Sequence, residues 1–146
     1  MTVIPTPTAR ASFHALADSY ATGAVAGSHD MRRIALAMLN FPLLRSREAW
    51  ENQSPPAVIA AAQADLAWAD RLAILYPLWL GDVPALLKGF LEQVLRPGFA
   101  IAKSAGLGGG MLRCKSARLV VTMGMPAIFY SFYFGAHSVK SFERIS

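Results

Sequence analysis

A short apolar run, Leu72, Ala73, Ile74, Leu75 and Tyr76, stops at Pro77, and a helical pattern begins a few residues later. Proline has no N–H to give to a sheet ladder, so the run reads as a buried core strand that ends at a loop. Beyond the loop, Asp82 can cap a helix and Pro84 fits a first helical turn. Leu86, Leu87, Phe90, Leu91, Val94 and Leu95 then recur at helical spacing, which gives that helix one apolar stripe. Open α/β sheets hold their ligands where carboxyl ends of parallel strands meet loops that open helices. The same layout also serves as a plain connection, so it marks a place for a site without naming a chemistry.

Signals for strands and helices alternate along the rest of the chain, the mark of a doubly wound parallel sheet. Thr2, Val3 and Ile4 form a stub of a first strand, and a loop leads to a helix starting near Ser12. Phe13, Leu16, Ala17, Tyr20, Ala21 and Ala24 give that helix its buried stripe, and Gly27 ends it. Residues 31–36 read as a second strand, and residues 40–53 as a connector without periodicity. Ser54, Pro55 and Pro56 supply a cap and a first-turn proline for a helix edged by Ile59, Ala62, Leu66 and Ala69. After the helix that follows Pro84, residues 96–115 form a long loop carrying Gly106, Gly108, Gly109 and Gly110. Residues 117–122 are a fourth strand and residues 127–145 a fourth helix.

At 146 residues, a single domain spanning 1–146 is expected. Hydrophobic residues make up 54% and charged residues 16% of the chain, with a mean hydropathy of +0.36. Buried parallel strands, a subunit interface, or both account for so apolar a composition. Residues 119–139 carry no Asp, Glu, Lys or Arg, but Gly124, Pro126, Gly135 and His137 interrupt them, which argues against a spanning helix. No secretory leader is expected at Met1, and the one cysteine, Cys114, excludes an internal disulfide, which suits a reducing cytoplasm. Net charge is +5, with Arg96 and Lys115 among scattered basic residues. Without a basic helix face interleaved with aromatics, this suggests a solvated basic surface that attracts phosphorylated cofactors, and no nucleic-acid partner. The dispersed histidines and cysteine offer no metal set, and neither a G-x-S-x-G elbow nor a G-x-G-x-x-G turn is present.

The strings PLW, VPALLKGF and RPGFA, in that order between residues 76 and 100, resemble the flavodoxin-like NAD(P)H:quinone oxidoreductase family. Its members include the modulator of drug activity and ancillary proteins of glutathione-gated potassium efflux. The resemblance covers nearly all residues from Arg10 to Ser146, strongest between Tyr76 and Ala100, and implies an α/β flavodoxin-like fold with helices on both faces of a parallel sheet. It also implies bound FMN or FAD, NAD(P)H as hydride donor, a quinone-type acceptor and a homodimer. Against the family, the first strand is short, and a fifth strand and last helix are missing. The expected result is a chain of marginal stability, incomplete at its carboxyl end.

Family resemblance also assigns residues. Arg10, Ser12 and Phe13 fall in the loop that holds the cofactor's phosphate, with Thr6-Pro7 where the family has His-Pro. On residue chemistry alone, Ser12 either helps cradle a phosphate at the helix start or merely caps the helix. Pro77, Leu78, Trp79 and Leu80 correspond to the loop that binds the edge of the flavin ring through backbone amides. Trp79 by itself is equally a core aromatic. Thr122, Met123 and Gly124 stand in the family's Thr-Thr-Gly-Gly loop, where Gly124 either permits close approach of a planar ring or makes a plain turn. Tyr130 and His137 match a tyrosine and a Gly-x-His histidine that relay protons and charge, groups suited to stabilising a reduced flavin or a quinone oxygen. His137 alone reads as readily as a structural residue. Two other functions remain open: a non-catalytic regulatory partner docked on a membrane transporter, and an inactive truncated remnant.

Overall fold

The computed structural model describes residues 10–100 and 115–124, with side chains from residue 14 onward. At its centre two parallel strands pair over their whole length, β1 (Arg71–Pro77) and β2 (Ser116–Thr122), in the register Arg71 to Ser116 through Pro77 to Thr122. Alternating side chains divide this pair into two faces. Ala73 and Leu75 meet Ala17 and Tyr20 of α1 (Arg10–Ala26), with Val120 of β2 beside them. Ile74, Tyr76 and Val121 face the larger core, built with Ile59 and Ala62 of α3 (Ala57–Trp68) and Leu87, Phe90 and Val94 of α4 (Ala85–Val94). Helices therefore cover both faces of a parallel sheet.

The expected third and fourth strands are β1 and β2, and the stripe of α4 is buried as its spacing indicates. Leu87, Phe90 and Val94 are enclosed, with Leu86, Leu91 and Leu95 packed at the margin. Phe90 also meets Phe41 edge-to-face, with centroids 5.9 Å apart.

Both helix starts differ from expectation for one reason. Pro56 and Pro84 are themselves the N-caps of α3 and α4, each with extended backbone and no side-chain cap. Each proline has the φ its ring fixes but an extended ψ, 151° at Pro56 and 142° at Pro84, so each helix begins at the residue that follows. Ser54 is thus not the cap of α3, and Asp82 is not the cap of α4. α1 ends at Ala26 near Gly27, but the left-handed turn is taken by Ser28 at φ 59°.

Within residues 31–36 the described residues show a single β-bridge, at Ile34, and no longer strand. Ile34 and Leu36 are buried in the large core, so their alternation records burial, but the chain turns into a 3-10 helix at Leu36–Met38. The supposed connector contains a six-residue helix, α2 (Arg47–Asn52). Ser46 caps it by accepting from the Ala49 N–H at 3.1 Å, and Arg47 pairs with Glu51 one turn on at 2.7 Å. With no buried residue, α2 has no apolar stripe to betray it.

Several basic residues have partners that a purely solvated basic surface does not provide. Arg32 bonds to Asp65 at 2.9 Å and lies over the Trp68 ring, and Arg33 pairs with Asp18. Lys115 donates to the carbonyls of Ala67, at 2.8 Å, and Ala69, closing the end of α3. Arg96 is buried, which corrects its placement on the surface. Its Nε donates to the Gln93 carbonyl at 3.1 Å, and its Nη1 to the carbonyls of Ala49 at 3.0 Å and Gln53 at 2.6 Å. Nη2 reaches the Gln93 side-chain oxygen. Burial pulls this guanidinium's pKa down from its ordinary value.

Among the described residues no helix is long and apolar enough to cross a membrane, and no group of His, Cys, Asp or Glu could hold a metal ion. Tyr130, His137, Cys114 and the stub at residues 2–4 lie outside the described residues, as do the glycines at 106–110 and the expected fourth helix.

Candidate functional site

β1 and β2 end together, because Pro77 is the register partner of Thr122. One residue further, the Leu78 N–H donates to the Thr122 carbonyl at 2.8 Å. Two segments 45 residues apart in register, around Pro77 and Thr122, thus leave the sheet side by side at its carboxyl end. A loop following parallel strands at that end is free to face a ligand.

The first segment reverses at once. Trp79 and Asp82 exchange both backbone hydrogen bonds, Trp79 N–H to Asp82 O at 3.1 Å and Asp82 N–H to Trp79 O at 2.9 Å. Between them Leu80 has φ 50° and Gly81 φ 80°. This is a two-residue turn with both central residues left-handed, which glycine adopts freely and leucine does not. The Asp82 carboxylate accepts from the Val83 N–H at 2.7 Å and fastens the exit of the turn. The side chain of Leu80 is fully exposed, and Trp79 is 41% exposed. Trp79 is therefore not a core aromatic.

Backbone donors here are largely committed. Pro77 has no N–H, Leu78 gives its own to Thr122, Trp79 to Asp82, and Val83 to the Asp82 side chain. The N–H groups of Leu80 and Gly81 make no hydrogen bond among the described residues. Opposite, Thr122 and Met123 are half-buried and Gly124 is exposed. A Cβ built on Gly124 meets no atom within 4 Å, so nothing among the described residues crowds that position.

α1 points its first turn towards the same end. Tyr20, Gly23 and Ala24, in its carboxyl half, line a groove with Arg71, Ala73 and Arg118 at the strands' amino ends. Arg10, Ser12 and Phe13, at the other end of the helix, accordingly lie on the side of Pro77 and Thr122. That groove sits at the opposite end of the strands from every loop discussed above.

Sequence reasoning missed Asp82 as a turn residue, because its place before Val83 and Pro84 read as a helix start. Gly81 was the usable signal, since a left-handed position favours glycine.

The Flavodoxin-like fold family matches residues 3–145. This chain belongs to that family. An uncharacterized NAD(P)H oxidoreductase of Haemophilus influenzae is 33% identical over 89 residues, covering 59% of this chain and 44% of that protein. Human ribosyldihydronicotinamide dehydrogenase [quinone] is 34% identical over 88 residues, covering 60% and 38%. The potassium-efflux ancillary protein KefG of Cronobacter sakazakii is 39% identical over 72 residues, covering 49% and 37%. The chain thus spans less than half the length of these relatives. Among solved structures, a putative quinone reductase from Klebsiella pneumoniae superposes with TM-score 0.71 at 24% identity, over 89% of this chain and 61% of that one. The flavodoxin-like fold, anticipated from the motifs, is the fold of this chain.

Proposed function

We propose that this chain is the flavin-binding part of an NAD(P)H:quinone oxidoreductase, with FMN or FAD seated at the carboxyl ends of β1 and β2. The observation that carries this reading is the Leu78 to Thr122 contact, which aligns the two segments assigned to the flavin ring. Relatives named as NAD(P)H oxidoreductase and quinone dehydrogenase support it. Support comes from amides at Leu80 and Gly81 that have no partner among the described residues, exposed apolar surface on Trp79 and Leu80, and open space at Gly124.

In this reading, the ring edge takes hydrogen bonds from Leu80 and Gly81, and Pro77, Leu78 and Trp79 shape the wall around it. Gly124 lets the Thr122 and Met123 backbone come close, and Arg10, Ser12 and Phe13 at the start of α1 hold the phosphate. Bound flavin supplies the hydride chemistry with NAD(P)H as donor and a quinone-type acceptor. Tyr130 and His137 exchange protons with the acceptor and stabilise charge beside it. The working unit is a cytoplasmic homodimer that completes the pocket. The test is an absorbance spectrum of the purified protein, together with quenching of added FMN or FAD fluorescence. Bound flavin is expected, and colourless protein that quenches neither cofactor overturns the reading.

A further inference from the structure

Leu80 is the unusual residue of the site. A leucine at φ 50° sits in the left-handed region, which L-residues with a branched side chain enter only at an energetic cost. Its side chain, fully exposed, recovers none of that cost by packing. Backbone strain of this kind persists only where its surroundings over-determine it. The surroundings are few: the paired hydrogen bonds between Trp79 and Asp82, the glycine at 81, and the Asp82 carboxylate on the Val83 N–H at 2.7 Å. Asp82 takes part in all three of these hydrogen bonds, through its own N–H, its carbonyl and its carboxylate.

Turn geometry also decides which donors are free. With Trp79 and Asp82 paired, the N–H groups of Leu80 and Gly81 are left at the tip without a partner among the described residues. If residue 80 relaxed to negative φ, the tip would reorient and those two donors would no longer share one presentation.

From this we infer that Asp82 is a positioning residue for the flavin, holding Leu80 in its left-handed conformation so that the Leu80 and Gly81 amides reach the ring. The inference rests on the flavin reading above. Asp82 touches no reacting atom and acts through the turn. An exposed carboxylate between an apolar tip and a proline has no ion-pair partner among the described residues, so its hydrogen bond to Val83 is its visible task.

The experiment is an FMN titration of the whole chain, followed by fluorescence quenching and by the position of the long-wavelength flavin band, with thermal unfolding recorded in parallel. Asp82→Ala is expected to weaken FMN binding by about two- to tenfold, the scale of one net hydrogen bond, and to shift the flavin band. Asp82→Asn, which keeps an acceptor oxygen, recovers most of the loss. The double variant Leu80→Gly with Asp82→Ala also recovers affinity relative to Asp82→Ala, since glycine holds positive φ without a clamp. Because the double variant's turn needs no clamp to fold, it keeps the comparison open should Asp82→Ala misfold. Parent-like FMN affinity and an unmoved band in Asp82→Ala, or a double variant no better than Asp82→Ala, overturn the role of Asp82. A parent chain that takes up no FMN overturns the flavin reading itself, and the role of Asp82 falls with it.

Discussion

The Leu78 N–H donates to the Thr122 carbonyl oxygen at 2.8 Å, one residue past the last register pair of the parallel ladder. This bond fixes the spacing between the two loops that flank the proposed ring site. It also withdraws Leu78 from the donors available to a ligand, which shifts that task to Leu80 and Gly81.

Gly124 separates ligand binding from folding. A Cβ there meets nothing among the described residues within 4 Å, so Gly124→Val is expected to unfold within a few degrees of the parent. FMN affinity is expected to fall about tenfold or more, as a side chain takes space the ring needs. Equal affinities measured by fluorescence titration would falsify a ring seated against residue 124.

Trp79 offers an optical handle. Its half-exposed indole lies beside the turn, whereas Trp68 stacks under Arg32 at the end of α3, which lies towards the strands' amino ends. FMN binding is expected to quench intrinsic fluorescence, and Trp79→Phe is expected to remove a large part of that change. Full quenching retained in the variant would place the ring elsewhere.

Tyr130→Phe and His137→Gln are expected to lower NAD(P)H-dependent quinone reduction by roughly ten- to a thousandfold, the scale of lost acid–base or charge-stabilising groups. Flavin content, read by absorbance after desalting, is expected to stay at the parent level. Unaltered turnover in both variants would leave them structural.

Arg96→Met is expected to destabilise the chain by about 2–4 kcal/mol, because the carbonyls of Ala49, Gln53 and Gln93 lose their buried donor. Arg96→Lys is expected to restore little, since one ammonium cannot span partners that a guanidinium fork reaches in three directions. Chemical denaturation of the three proteins measures this. A Lys variant as stable as the parent shows that charge alone is required.

Local sequence determined the elements whose burial repeats along the chain. The run from Leu72 to Tyr76, stopped by Pro77, specified β1, and the spacing of Leu87, Phe90 and Val94 specified α4. The motifs between residues 76 and 100 were enough to anticipate the family and its fold. Alternation at Ile34 and Leu36 was equally visible, and both side chains are buried, but how far such a segment pairs depends on a neighbour that alternation does not name. α2 left no trace because a helix with no buried face has no stripe. Arg96 looked like any surface cation, since its acceptors at Ala49 and Gln53 lie 47 and 43 residues away. The left-handed turn at Leu80 was hidden for the same reason. Leucine has no preference for that conformation, and only the meeting of Trp79 with Asp82, beside a strand end aligned with Thr122, imposes it.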